Sequence, residues 1–184
     1  APLVKIGTLF YPFLPAVLDP NMTRTVDLWL KRLTYTTANG KPDTLVRRRG
    51  EFFEEHVRKD LAENFENAPQ YDGYVFPNAS KLAGLETDLL FRIGSHVYVG
   101  DAKFLKYPAN PNEIGNCYRE IEHGAVQAAD RVAALRDQRK AVAQALEWTG
   151  GESDLQCHPL VVVGHPYGAG MIFHGVPCIA FDML

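Results

Sequence analysis

Three residues near the middle of the chain have the types and the spacing for chemistry: Asp88, Asp101 and Lys103. Two runs of strand-forming residues flank a Gly94-Ser95 turn, and this pattern predicts a β-hairpin with Asp88 on its first strand and Asp101 on its second. Side chains alternate between the faces of a strand, so Asp101 and Lys103 point to the same side. A carboxylate and an ammonium group opposite a second carboxylate suit a metal-dependent hydrolytic site better than an apolar core.

The reaction that fits this set is hydrolysis of a phosphodiester. Negative charge builds on the attacking and leaving oxygens, and Mg²⁺ neutralises it while lowering the pKa of bound water. Mg²⁺ takes oxygen ligands, usually one or two carboxylates completed by water and substrate phosphate. Asp88 and Asp101 would provide carboxylates, and Ala102 a backbone carbonyl. Lys103 would orient the attacking water or stabilise transition-state charge.

A further carboxylate, Glu54, comes from a helix predicted over residues 45–66. Apolar residues four apart give this helix one buried stripe, and Glu54 falls inside it, between Leu61 and Phe65 in angle. A carboxylate there is costly unless it is paired or holds a metal. Glu54 is therefore predicted to assist at the site, with the alternative that it is a boundary residue whose carboxylate reaches water.

The remaining elements must place these residues. Residues 1–20 are predicted as an extended arm, 22–36 as a helix and 39–43 as a turn. A strand is expected over 71–76, the hairpin strands over 85–93 and 96–105, and a helical region over 113–147 with a bend near 136–138. The polar side of that helix carries Glu120, His123, Gln127 and Arg131. Strand-like runs follow at 159–163, 171–173 and 176–181, so the sequence predicts an α/β fold around a mixed sheet.

The order of Glu54, then Glu86-Thr87-Asp88, then Asp101-Ala102-Lys103 at the end of a hydrophobic strand resembles the PD-(D/E)XK nuclease superfamily. The resemblance covers roughly residues 45 to 165. It implies a restriction-endonuclease-like fold in which Glu54, Asp88, Asp101 and Lys103 are catalytic, with Gln127 on the following helix near the site. Thr87 stands where the family's signature has proline, and the third acidic position is Asp instead of Glu.

Composition limits the other classes of function. The 184 residues suit one domain, with an arm and helix over 1–44 packed on a core over 45–184, and a fragment of a longer protein is the other expectation. A net charge of −3 excludes a generally basic nucleic-acid binder, so binding needs a local patch. Three scattered cysteines favour an intracellular, reducing location, and no apolar run is long enough for a membrane span. The spacing of the histidines argues against zinc, and the Gly-rich turn at 164–170 lacks the P-loop lysine.

The favoured hypothesis is a nuclease dependent on Mg²⁺, with Mn²⁺ as an alternative, that cleaves DNA in preference to RNA. Glu86 is expected beside the ligands, and phosphate contacts are expected from Arg47, Arg48, Arg49 and Lys106. Specificity would come from a homodimer or from additional domains. The alternatives are a catalytically inactive nucleic-acid- or protein-binding module of the same fold and a hydrolase of another phosphate ester. At the level of single residues, Asp88, Asp101 and Lys103 could form a surface ion pair, His123 and Gln127 could face solvent, and the arginine run could be merely solvated.

Overall fold

A computed structural model of the chain describes residues 3–6, 9–12, 34–36, 42–77, 84–105 and 110–184, together with the single residues 40, 82 and 108. In chain order the strands are β1 (Leu3–Ile6), β2 (Leu9–Pro12), β3 (Thr34–Thr36), β4 (Pro42–Thr44), β5 (Gly73–Val75), β6 (Leu89–Ile93), β7 (His96–Lys103), β8 (Gln156–Val163), β9 (Ile172–Phe173) and β10 (Val176–Ala180). The α-helices are α1 (Leu45–Asn67), α2 (Pro111–Arg136) and α3 (Arg139–Ala145).

The centre of the molecule is a six-stranded mixed sheet in the order β5-β6-β7-β8-β10-β9. β5, β6 and β7 form an antiparallel meander, whereas β8 runs parallel to β7 and β10 runs parallel to β8. Since β7 and β8 are parallel neighbours, the chain between them must cross over, and α2 and α3 form that crossover. The predicted α/β class with a mixed sheet is confirmed.

Helices cover both faces of the sheet. α1 packs on one face through an apolar stripe of Phe53, Val57 and Leu61 against Leu89, Phe91, Ala102, Leu160 and Val162. On the other face α2 buries Ile121 and Ala125 against β8 and β10, and its C-terminal half packs with α3 on β6 and β7. Burial on both faces explains the consecutive apolar residues at 89–91 in β6 and 159–163 in β8.

The ends of α2 follow from local sequence. Asn110 precedes Pro111, and its side chain accepts a hydrogen bond from the backbone N–H of Glu113 at 3.0 Å, which is an N-cap with proline at the first helical position. The helix ends at Arg136, and Asp137 and Gln138 form a turn before α3 begins. The predicted bend at this place is confirmed.

The predictions for the residues before α1 differ most from the structure. The arm expected over residues 1–20 contains an antiparallel hairpin instead, in which β1 pairs with β2 from Leu3↔Pro12 to Ile6↔Leu9. Residues 34–36, predicted as the end of a helix, form β3 and pair with β4. Their sequence, Thr-Tyr-Thr, has the β-branched and aromatic side chains that favour strands. The rest of the predicted helix over 22–36 lies outside the described residues.

Candidate functional site

The site lies where β6 and β7 separate. Their pairing ends at Leu89↔Gly100, so Asp88 lies just before β6, and Asp101 lies just past the part of β7 that pairs with β6. The prediction of Asp88 on the strand itself is therefore wrong by one residue. In place of a ladder partner, the N–H of Ala102 donates to Asp88 Oδ2 at 3.0 Å. The Asp88 carboxylate thus accepts the hydrogen bond that a backbone carbonyl of a longer β6 would accept.

The backbone of Ala102 has one further polar group in this opening. Within a strand the N–H and C=O of one residue point to the same neighbouring strand, as the paired hydrogen bonds of antiparallel ladders require. The N–H of Ala102 points to Asp88, whereas Lys103 uses its carbonyl on the other side, for the N–H of Gly164 at 3.2 Å. The Ala102 carbonyl is therefore directed into the opening beside Asp88.

Asp101 is deeply buried, with a side chain that is only 1% exposed. Lys103 Nζ lies 2.9 Å from its Oδ2, on the face of β7 that α2 covers. Among the described residues Oδ2 has this ion pair with Lys103 and no hydrogen bond. The alternative of a surface ion pair on a solvated face is therefore wrong for Asp101.

The structure adds Arg131 from α2, which the sequence placed only on the polar side of a helix. Its Nη1 donates to Asp101 Oδ1 at 2.9 Å, and its Nη2 lies 3.9 Å from Asp88 Oδ1. One guanidinium thus contacts both carboxylates. The available sequence signal was its position one helical turn after Gln127, since residues four apart share a helix face.

Gln127 lies on the same flank of α2. Its Oε1 is 3.5 Å from Lys103 Nζ and accepts a hydrogen bond from it. The side chain is half-buried, so the interpretation of Gln127 as solvent-facing is wrong, whereas His123 is exposed as that interpretation expected. Gln127 and Asp101 together hold the lysine ammonium in place.

Glu54 belongs to the same electrostatic cluster from the α1 side. Burial, followed by the charge of Asp88 and a smaller contribution from Asp101, raises the pKa of Glu54 to about 7, although Arg58 opposes the shift. Arg58 also donates to the backbone carbonyl of Asp88, which ties α1 to the start of β6. The position of Glu54 inside the apolar stripe, read from helical periodicity, has the expected consequence for its ionisation.

The pKa of Asp88 is shifted in the same direction as that of Glu54. Burial and the charge of Asp101 raise the pKa of the Asp88 carboxyl, and the N–H of Ala102, Arg131 and Lys103 counteract that rise. Two carboxylates close together repel each other unless a cation lies between them. Burial is the larger cause of the raised pKa of Asp88, and Arg131 and Lys103 offset the repulsion from Asp101.

The other residues predicted to lie near the acidic pair are described only in part. Glu86 is exposed. Arg49 packs its guanidinium 4.4 Å from the ring centroid of Phe104 and donates to the Phe104 carbonyl at 3.4 Å, one residue beyond Lys103. The side chains of Arg47 and Arg48 and the whole of Lys106 lie outside the described residues.

The donor set is compatible with a hard divalent cation. Asp88, Asp101 and the Ala102 carbonyl offer only oxygen, and Oδ1 of both aspartates faces the same guanidinium, that of Arg131. Among the described residues no three His, Cys, Asp or Glu side chains are grouped so that they could hold a metal ion. Mg²⁺ in proteins is commonly bound by one or two carboxylates with water and phosphate, so the two aspartates fit it.

Comparison with known proteins gives no relative: no protein-family model, no curated protein and no solved structure matches the chain. Among the described residues no helix is both long enough and apolar enough to cross a membrane.

Proposed function

We propose that the chain is a Mg²⁺-dependent nuclease of the PD-(D/E)XK type that hydrolyses phosphodiester bonds, in DNA in preference to RNA. The observation that carries the proposal is the convergence of Asp88 and Asp101 where β6 and β7 separate, with Lys103 on the same face and 2.9 Å from Asp101. This is the place at which the motif residues would have to meet for hydrolytic chemistry.

The order of the elements gives independent support. A helix with an acidic residue, α1, is followed by the antiparallel meander β5–β7, the crossover helix α2 and the parallel strand β8. The restriction-endonuclease-like fold, which the sequence resemblance implies, requires this order of helix, hairpin, helix and further strand. The α/β class is observed, and we propose in addition that the fold is restriction-endonuclease-like.

Asp88, Asp101 and the Ala102 carbonyl would hold the divalent ion, and Glu54 would reach it through water. The ion would neutralise charge on the phosphate and make bound water a stronger nucleophile. The chain's own contribution is to bring these oxygens together at a buried edge, where electrostatic interactions are stronger than in water. The N–H of Ala102 fixes the orientation of the Asp88 carboxylate for this purpose.

Lys103 supplies the positive charge of the site, and Gln127 accepts a hydrogen bond from it. The Lys103 ammonium is held between Asp101 Oδ2 at 2.9 Å and Gln127 Oε1 at 3.5 Å, with its side chain 21% exposed. An ammonium fixed beside the acidic pair is positioned to donate to the attacking water or to a phosphate oxygen. Gln127 acts by orienting the lysine.

The second candidate function is a catalytically inactive nucleic-acid- or protein-binding module of the same fold. One observation favours it: Arg131 and Lys103 already place two cationic groups against Asp101. A site neutralised in this way could be purely structural. Metal binding and catalysis separate the two candidates.

The test is cleavage of single- and double-stranded DNA and RNA with Mg²⁺ or Mn²⁺ by wild type, Asp101→Asn and Lys103→Ala. Asp60→Asn is the matched control, because Asp60 is half-buried on α1 and its carboxylate accepts a solvent-exposed hydrogen bond from Asn64 Nδ2 at 3.2 Å. We expect metal-dependent cleavage by wild type and the control, and a loss of about 100-fold or more in the two site variants, as for removal of a group that stabilises transition-state charge. Equal cleavage by all four proteins, or none by wild type, would refute the nuclease.

A further inference from the structure

We propose that Arg131 is the resident cation of the acidic pair and competes with a divalent metal ion for Asp101, so that metal binding requires the guanidinium to leave. This inference rests on the proposed function, because it concerns the same metal site. It assigns to Arg131 a role in setting the metal affinity, which is separate from any contact with substrate.

The two oxygens of Asp101 have different surroundings. Oδ2 faces α2, where a Cβ built on Gly124 would lie 2.6 Å from it, and Lys103 Nζ lies 2.9 Å away. Oδ1 faces Arg131, whose Nη1 donates to it at 2.9 Å. Helix backbone and lysine therefore close the Oδ2 side, and the approach to Asp101 that remains is through Oδ1.

The Oδ1 side is also the side shared with Asp88. The second guanidinium nitrogen, Nη2, lies 3.9 Å from Asp88 Oδ1, so Arg131 occupies the space between the carboxylates. An ion that binds both aspartates must use this same space. Guanidinium and metal ion are therefore mutually exclusive at Asp101 Oδ1.

Charge leads to the same conclusion. The carboxylates of Asp88, Asp101 and Glu54 carry three negative charges at most, and the Arg58, Lys103 and Arg131 side chains carry three positive charges. A divalent ion added to this set would leave it with excess positive charge at a site where Asp101 is only 1% exposed. Such an excess is costly in a poorly solvated position. Arg131 is 17% exposed on the flank of α2, and its long side chain can turn toward solvent.

The experiment measures metal binding without catalysis. Mg²⁺ is titrated calorimetrically, and Mn²⁺ by electron paramagnetic resonance of the free ion, into wild type, Arg131→Gln and Arg131→Lys after removal of metal with EDTA. Arg119→Gln is the control, because it removes the same charge from an exposed position on α2 that donates to Asn116. We expect Arg131→Gln to bind about tenfold more tightly than wild type, since one nearby charge of the same sign as the metal is removed. Arg131→Lys, which keeps the charge, and Arg119→Gln should bind within about threefold of wild type.

A measurement on the wild-type protein keeps the inference testable if Arg131→Gln does not fold. The guanidinium resonances of Arg131, assigned by comparison with Arg131→Lys, are followed by NMR as Mg²⁺ is added. We expect their exchange with water to accelerate when the metal releases Arg131 from Asp101.

The outcomes distinguish the two proposals. If wild type binds metal and Arg131→Gln binds it no more tightly, or if the Arg131 resonances do not change at saturating Mg²⁺, the inference is overturned and the nuclease proposal stands. If only Arg131→Gln binds metal, the inference is supported. If neither protein binds metal, both proposals fail.

Discussion

The α-carbon of Gly124 lies directly against the carboxylate of Asp101. A Cβ added at position 124 would be 2.6 Å from Asp101 Oδ2 and 3.1 Å from Lys103 Cε. Real Cβ atoms essentially never approach another atom this closely, and the Asp101 carboxylate has little room to shift because it is buried and held by Lys103 and Arg131. Helix α2 can therefore cover the site at this distance only with glycine at position 124.

Gly124→Ala is expected to lower both activity and stability. Alanine favours a helix over glycine by about 1 kcal/mol, but the overlap with Asp101 costs typically 1–3 kcal/mol and displaces the carboxylate. We expect a net loss of stability by chemical denaturation and a loss of metal-dependent cleavage.

Gly115→Ala is the matched control, since a Cβ at Gly115 in the same helix would meet nothing within 4 Å. It should raise stability by roughly 0.5–1 kcal/mol and leave cleavage unchanged. Equal behaviour of the two variants would mean that α2 does not approach Asp101 as described.

Asp88 has a structural role that can be separated from its charge. Its Oδ2 accepts the N–H of Ala102, so Asp88→Ala leaves that N–H without its acceptor, at a cost of about 1–3 kcal/mol. Asp88→Asn keeps an acceptor oxygen and removes a charge whose pKa is raised by burial and by Asp101. Asp88→Asn should therefore be at least as stable as wild type near neutral pH, and both variants should lose metal-dependent cleavage. Thermal melts in EDTA measure the first effect, and a lower stability of Asp88→Asn than of Asp88→Ala would contradict it.

The sequence was sufficient for the elements whose periodicity is strong. The four-residue spacing of Phe53, Val57 and Leu61 predicted α1 to within a residue, and the turn at Gly94-Ser95 fixed the register of the β6–β7 hairpin. It failed for β3, where a short Thr-Tyr-Thr strand pairs with β4. The β-branched and aromatic residues of this strand were a local signal for it, but the predicted helix over 22–36 was extended across them.

The site was predictable where its geometry depends on local strand structure. Alternation within β7 placed Asp101 and Lys103 on one face, because strand geometry is local. The shared helix face with Gln127 was a signal for Arg131, but its contact with Asp101 depends on how α2 rotates and how closely it packs on β7. That packing is set by Gly124 against Asp101, and a single sequence does not distinguish this glycine from Gly115.

Glu54 should make stability depend on pH. Its pKa is raised from an ordinary value of 4.5 to about 7, so the folded chain binds this proton more tightly than the unfolded chain. The free energy of unfolding therefore falls as pH rises from about 4.5 to 7, and the contribution is fully present only below that window. Glu54→Gln removes this pH dependence. The stability of the variant relative to wild type should therefore increase by about 1–2 kcal/mol from pH 5 to pH 8. The value is set below the full pKa shift because solvent screens a half-exposed carboxylate.

Urea denaturation of both proteins across this pH range measures the difference. Glu55→Gln is the control, because Glu55 is the exposed neighbour of Glu54 on the same helix. A constant difference between Glu54→Gln and wild type from pH 5 to pH 8 would show that Glu54 is ordinary in its ionisation.

Arg49 offers a test of the nucleic-acid contact. Its guanidinium lies 4.4 Å from the ring centroid of Phe104, so it is held at the end of β7 next to Lys103. Arg49 contacts a phosphate only if a bound strand passes this end of β7, on the side of α1. In an Asp101→Asn background that prevents cleavage, Arg49→Gln should weaken DNA binding and reduce the slope of log affinity against log salt by about one. Lys59→Gln, which removes the same charge from an exposed position on α1, should leave the slope unchanged. If Arg49→Gln lowers the melting temperature and leaves the salt slope unchanged, Arg49 only stabilises the fold through its contacts with Phe104. The phosphate contacts must then come from other residues.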